Sequence, residues 1–304
     1  MQKSFLIITV ITLLGTIPVY AKYDTTDLIA SMIQDKPVKQ YITNAFKSSR
    51  VINGHSIEFI GKGVLDVRIL HRFGYVNEGV GNLFGLDEAS MRMGLDYGLS
   101  NNFSLGIGRS TNKKELDGFI KYRVLRQSEG PGSSPVSIVW VSGISVYTTK
   151  WADPLRKNIF SSRVGYYHEI IFGRKFSDFF TLQLAPVYVH RNLIDSIKNS
   201  NDTWALGIGS RIKISKRVAF VIDYHPVLSG KQSGTYNPLS LGFDIETGGH
   251  VFQLHFSNAT GMNEKEFITN TRGSFWKGDI RFGFNLSRVF SLRKNSEKAP
   301  LSKS

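Results

Sequence analysis

The chain contains no cysteine, which removes at once a disulfide framework, a lipid-modified N-terminal cysteine and any zinc site built on thiolates. It also lacks a long apolar run beyond its first two dozen residues. The most apolar later stretch, 136–147, is broken by Ser137, Ser142, Gly143 and Ser145, and falls short of the roughly 18 to 20 apolar residues with which a helix crosses a bilayer. Any membrane span of the mature chain must therefore be made of strands, since only helices and closed barrels satisfy their backbone polar groups in hydrocarbon. Acidic residues are scarce beside Lys and Arg, 24 against 38, for a net charge of +14. Such a charge suits nucleic acid, an anionic membrane surface or an acidic ligand.

What is present begins with an export signal. Lys3 precedes an apolar run from Phe5 to Leu14, followed by Gly15, Pro18 and the small-residue exit Val19-Tyr20-Ala21; residues 1–21 read as a secretory signal peptide cleaved after Ala21. The alternative, an N-terminal membrane anchor, needs a longer apolar run. Export weighs against nucleic acid as a partner, and the scatter of Lys and Arg over loops and strand ends reads as charge facing solvent and lipid headgroups.

From Gly61 onward apolar residues alternate with small or charged ones in segments of about ten residues, the spacing of tilted strands crossing an outer membrane. In one segment Met91, Met93, Leu95 and Tyr97 alternate with Arg92, Gly94, Asp96 and Gly98; in another Phe282, Phe284 and Leu286 alternate with Arg281, Gly283 and Asn285. Twelve such segments fall near 62–72, 88–99, 102–110, 116–126, 135–148, 159–172, 178–190, 203–214, 217–225, 238–247, 250–258 and 277–290. The fold class is therefore all-β: a closed antiparallel transmembrane β-barrel of about twelve strands, with a short segment before it. If the first strand runs outward, the periplasmic turns at 101–102, 173–177, 215–216 and 248–249 are short and most outer loops long. Only 127–134, with Gly130-Pro131-Gly132, breaks the pattern, and a missed or merged strand there leaves ten or fourteen open. A soluble β-sandwich also alternates, but its solvent face would be rich in Thr, Lys and Glu and its connections would not sort into short and long.

Aromatic residues gather at strand ends, Tyr97, Phe103, Phe180 and Phe252 on one side and Tyr188, Trp204, Tyr224 and Phe256 on the other, as interfacial girdles do. Pro186, inside the seventh segment, calls for a bulge or an end of pairing. The organisation is thus 1–21 signal peptide, 22–60 periplasmic or plug segment, 61–290 barrel and 291–304 polar tail. Within 22–60, Thr26 can cap a short helix whose Leu28, Ile29, Met32 and Ile33 form one stripe ended by Pro37. That helix would plug the lumen or lie on the rim; a loosely ordered leader is equally open.

The wording of the sequence adds to its pattern. Phe46-Lys47-Ser48-Ser49-Arg50-Val51-Ile52-Asn53-Gly54, His71-Arg72-Phe73-Gly74, Leu83-Phe84-Gly85-Leu86-Asp87, Gly106-Ile107-Gly108-Arg109-Ser110 and Asp117-Gly118-Phe119-Ile120-Lys121-Tyr122 resemble an uncharacterised outer-membrane β-barrel family of Bacteroidota-type bacteria, a domain of unknown function (serial number 5777). The resemblance covers most of the mature chain. It implies a barrel and an outer-membrane setting, with no substrate, catalytic residue or cofactor.

Alternation assigns Arg68, Arg72, Arg92, Asp96, Lys121, Arg123, Arg211, Asp223, Asp244, Glu246 and Arg281 to the lumen, where charges of both signs line a narrow pore or pair and close it. His71, Arg72 and Asp87 are a candidate rim cluster for an anion or metal, or a salt bridge that folds a loop inward. His225 and His255, with Asp223, are weak metal candidates, because an intervening strand puts about 10 Å of sheet between them; a hydrogen-bonded network is the ordinary alternative. An ester hydrolase needs Ser, His and an acid in contact; His168 and His190 are strand candidates, but no serine is singled out by spacing. The reading is a non-enzymatic channel or transporter for small solutes with lipid as its surroundings; the alternative is a non-conducting scaffold or partner-binding barrel, ahead of a metal site or a lipid-directed hydrolase. No cofactor is called for.

Overall fold

The computed structural model describes residues 38–292 apart from 152–153, 156, 195–197 and 249. The signal peptide, the Leu28–Ile33 stripe and the tail beyond Leu292 lie outside the described residues. Everything described below belongs to the compact unit Lys39–Ser304.

Twelve strands form the wall: β1 (Val64–Tyr75), β2 (Ala89–Gly98), β3 (Phe103–Ser110), β4 (Glu115–Leu125), β5 (Ser137–Tyr147), β6 (Val164–Lys175), β7 (Phe180–Arg191), β8 (Asp202–Lys213), β9 (Val218–Tyr224), β10 (Leu239–Thr247), β11 (His250–Ser257) and β12 (Arg281–Ser291). Each is antiparallel to its chain neighbours, and β12 pairs with β1 through Phe290↔Leu65 and Phe284↔His71, so the sheet closes with no free edge. The period-two pattern dictates this arrangement. In β2, Arg92, Gly94, Asp96 and Gly98 are buried toward the lumen while Met93 and Leu95 are exposed on the outer face. An inverted exposure of this kind costs free energy in water and gains it in lipid.

Twelve strands also settle the anomalous connection. Residues 126–136 hide no missing strand: Ser128–Glu129 pairs with Gln40–Tyr41 of the incoming chain, and the Ile42 amide donates to the Gln127 carbonyl at 3.0 Å. The loop is long because it docks the N-terminal segment at the turn end of the barrel. The sixth strand begins later than the pattern suggests, since Phe160–Arg163 form a 3₁₀ turn and Arg163 donates to the Tyr147 carbonyl at 3.0 Å.

Pro186 is neither a bulge nor a strand end. It points outward and keeps its partner Leu206 in β8, while the ladder to β6 skips from Glu169↔Val187 to Phe172↔Leu184 without changing register. The missing N–H falls on one side of the strand only. A bulge sits instead at Trp204/Ala205, where β9 has ended and Val227–Ser229 resumes pairing with β8.

The inner face has two characters. From β5 to β8 it carries an apolar patch, with Val139, Val141, Ile171, Ala185, Val187 and Val189 fully buried among the buried Glu169, Gln183 and Arg211; elsewhere it is polar and charged. The mixed-charge lumen expected from alternation is thus only part of the circumference.

Candidate functional site

The lumen is filled from both ends by the chain itself. From the turn end, residues 43–60 fold inward as a narrow hairpin: Arg50 and His55 form its bridge, the Val51 amide donates to the Gly54 carbonyl at 2.9 Å, and the Ser56 amide to the Ser49 carbonyl at 3.0 Å. From the loop end, the connection after β11 dips inward and carries helix α1 (Glu264–Thr269), every residue of which is buried. Asn263 caps it by accepting from the Glu266 amide at 3.0 Å. The two insertions meet where Arg50 donates to Glu264 at 2.9 Å, both side chains 1% exposed; His55 Nε2 lies 3.6 Å from the same carboxylate.

The hairpin has little regular pairing of its own, so its buried amides and carbonyls need partners from the wall. Asp223 supplies the main one: its Oδ2 accepts from the consecutive amides of Ile52, Asn53 and Gly54 at 3.2, 2.6 and 3.0 Å. Gln183 clamps the other flank, donating to the His55 carbonyl at 2.6 Å and accepting from the Ile57 amide at 3.1 Å. Gln253 donates to the Val51 carbonyl at 2.6 Å and Asn285 to that of Ile52 at 3.0 Å. Close packing accompanies the hydrogen bonds. A Cβ on wall glycine Gly173 would lie 2.6 Å from Ile57, and one on Gly209 would lie 2.8 Å from Val51.

The charged residues assigned to the lumen divide by task. Arg68 donates to Ser48 and Ser49 at 3.0 and 2.8 Å and lies 3.3 Å from Asp66. Arg72 donates to Asn53 at 2.8 Å and Asn285 at 2.9 Å. Lys121 holds the Ser49 and Glu58 carbonyls at 3.1 and 2.6 Å, and Arg123 donates to the Asn101 carbonyl at 3.1 Å. Arg92 grips Asp117 with two bonds of 2.8 and 2.5 Å. Asp96 is 1% exposed, and its carboxylate accepts no hydrogen bond from the described residues. Asp244 accepts from Gln253 at 2.7 Å, and Arg211 is buried. Nearer the mouths, Glu246 pairs with Lys47 at 2.7 Å, while the Arg281 guanidinium stacks 3.6 Å over the Tyr75 ring. At the turn end a cavity of about 410 Å³ remains between the hairpin base and the wall, lined by Lys47, Glu58, Asp66 and Glu246 among others.

Around α1, Lys265 pairs with Glu115 at 2.6 Å, Asn263 donates to Glu115 at 2.7 Å, and Tyr147 donates to Glu266. Burial would raise the Glu266 pKa, but Lys113 and Lys265 outweigh it and hold the carboxyl below its usual range. His55 shifts further: burial, then the Arg50 charge, pushes its pKa well below that of a free imidazole, so the hairpin carries it neutral.

Other candidate groups are not brought together. The rim cluster dissolves because strand alternation sends neighbours to opposite faces: His71 stacks outward on Phe284 at 4.9 Å, Arg72 points into the lumen, and Asp87 stays exposed in the loop. His225 Nδ1 lies 3.3 Å from Asp223 and its ring packs on Phe267, while His255 sits against Gly283 and Arg72. Among the described residues no three His, Cys, Asp or Glu side chains converge to hold a metal ion. Ser142 does meet His168, Oγ to Nδ1 at 3.0 Å, but on the outer face. The neighbouring acid, Asp202, is bonded instead to His190 at 2.7 Å and Tyr188 at 2.5 Å. A serine, a histidine and an acid are therefore present without forming a triad.

A closed wall with an apolar exterior, an interior of hydrogen-bonding groups and a lumen stoppered by its own chain define a membrane-spanning β-barrel with a resident plug. Residues 46–290 match the family model described as a membrane bound beta barrel domain of unknown function (DUF5777). The chain belongs to that family. The match takes in most of the hairpin and all of α1. Among curated proteins, none matches. Solved structures of similar outline include the NanC porin (7% identity, TM-score 0.46, covering 74% of this chain and 98% of that one) and the KdgM porin (9%, 0.42, 75% and 98%). An outer membrane channel from Pseudomonas putida F1 follows (11%, 0.40, 77% and 98%). A likeness at that level carries no argument about what passes or binds.

Proposed function

We propose that the protein is an exported outer-membrane conduit for small solutes that is shut at rest, with the 43–60 hairpin and α1 as its two gates. The carrying observation is the meeting of two insertions from opposite ends at Arg50 and Glu264, in a lumen that grips the hairpin by hydrogen bonds and ion pairs on one side and by apolar packing of Phe46, Val51 and Ile57 on the other. Water can replace the hydrogen bonds and ion pairs when the hairpin leaves. Short connections at one end and long ones at the other support loops outside the cell and entry of the hairpin on the periplasmic side. A periplasmic partner or a ligand of the turn-end cavity would then be positioned to withdraw the hairpin.

Conductance across planar bilayers tests the proposal. The native chain should be nearly silent, and a chain lacking residues 43–58 should conduct steadily; silence in both would remove the conduit. A second reading, a non-conducting scaffold, rests on the apolar inner wall of β5 to β8, which the hairpin and α1 keep from water. It predicts that the shortened chain fails to fold.

A further inference from the structure

The loop end carries a concavity on the outer, membrane-facing side of the barrel. Its floor is Leu241 of β10 and Phe256 of β11, cross-strand partners that both point away from the lumen. Its roof is the segment 275–280, with Phe275, Gly278 and Ile280 projecting over the floor, and Val76 closes one side. The space measures about 470 Å³ and exposes only apolar lining.

The roof is built rigid. The Val76 amide donates to the Ile280 carbonyl at 2.8 Å, and both oxygens of Asp279 are engaged, one by Asn77 at 2.9 Å and the other by the Ser274 amide at 2.8 Å. Gly278 turns the chain at φ 83°, and its backbone lines the space. The lip of the roof is Trp276, 88% exposed, followed by the exposed Lys277.

An apolar hollow in the hydrocarbon belt is not left empty, because unfilled space forfeits dispersion contacts and water gains nothing there. An aromatic and a cation directly above it are the pair that membrane proteins place at the headgroup level. We infer that this groove is a fixed lipid site. One acyl chain of a phosphate-bearing glycolipid of the outer leaflet lies beneath residues 275–280, with its phosphate beside Lys277 and its sugar against Trp276. The inference rests on the outward orientation of the loops proposed above. It does not depend on conduction. Held there, the lipid braces the connection that carries α1 into the lumen, since the roof follows that helix by six residues.

Native mass spectrometry of the full chain, extracted from outer membranes in mild detergent, reads the site directly. The native protein should retain one glycolipid adduct through delipidation. Leu241→Trp, which fills the floor from the lipid side, should lower the retained fraction about tenfold, and Lys277→Glu about fivefold, in line with one surface cation near a phosphate. Both variants should keep the heat-resistant gel mobility of the folded barrel, so loss of adduct is separable from loss of fold. A bare native mass, an adduct unaffected by Leu241→Trp, or retention of phospholipid alone would overturn the inference. Recovery of the folded protein outside the outer membrane would instead overturn the orientation on which it rests.

Discussion

Replacing Asp223 by Ala removes the main acceptor for the amides at the tip of the lumenal hairpin. One carboxylate oxygen accepts from three consecutive buried amides, at 3.2, 2.6 and 3.0 Å. Hydrogen bonds to a charged group are each worth about 1.5–3 kcal/mol, and three that share one oxygen do not add in full. The orphaned amides should therefore weaken hairpin docking by about 3–5 kcal/mol, consistent with the cost of removing one member of a buried charged pair. Because the chain has no cysteine, Val51→Cys, at a position 1% exposed, gives a unique reporter whose labelling by a bulky maleimide requires the hairpin to leave. At about 1.4 kcal/mol per factor of ten, Asp223→Ala should raise the labelling rate by roughly two to three and a half powers of ten. Asp223→Asn, which keeps an acceptor and loses the charge, should raise it about tenfold. A change of less than about threefold for the alanine variant would refute the claim that wall hydrogen bonds hold the hairpin.

Other consequences follow from the same contacts. Arg50→Met should cost about 3–5 kcal/mol in denaturant unfolding by stranding the Glu264 charge, and Glu264→Leu added to it should recover much of that loss; equal loss in both would deny the pairing. Since burial and Arg50 depress the His55 pKa, the released hairpin takes up a proton that the docked one cannot. Docking is then at full strength above about pH 6.5 and weakens below it by up to about 1.4 kcal/mol per pH unit. His55→Gln should flatten that slope in the maleimide assay. Gly143 faces the Tyr167 ring, which the Cβ of any larger residue would meet; Gly143→Val should cost about 1–3 kcal/mol and lower the temperature at which the folded band disappears on gels, whereas Ile144→Val on the outer face should leave it unchanged.

The wall was legible because membrane strands carry their instruction locally: period two, glycine and charge inward, aromatic residues at the ends. The hairpin form of the plug was not, because its partners are remote in sequence. Nothing near Ile52 announces that its amide will meet Asp223 or its carbonyl Asn285, so the sequence leaves 22–60 open between a plug, a rim segment and a loose leader, with the helix placed further upstream. The long 127–134 connection did carry a signal, but length alone does not distinguish a hidden strand from a docking loop. For α1, the Asn263–Glu266 spacing is a readable helix start, yet Glu264-Lys265-Glu266 looks solvated; its burial depends on Arg50 and Glu115, far away in the chain. The rim cluster failed for a local reason, since adjacent strand residues His71 and Arg72 cannot share a face.

The central claim, that the chain's own hairpin occupies the lumen, is tested most directly by hydrogen exchange of the native protein in lipid. The amides of Val51 through Ile57 should be protected to the level of the barrel strands, far above the loop at 157–159. Exchange of those amides at loop rates in an intact, heat-resistant barrel would contradict the account.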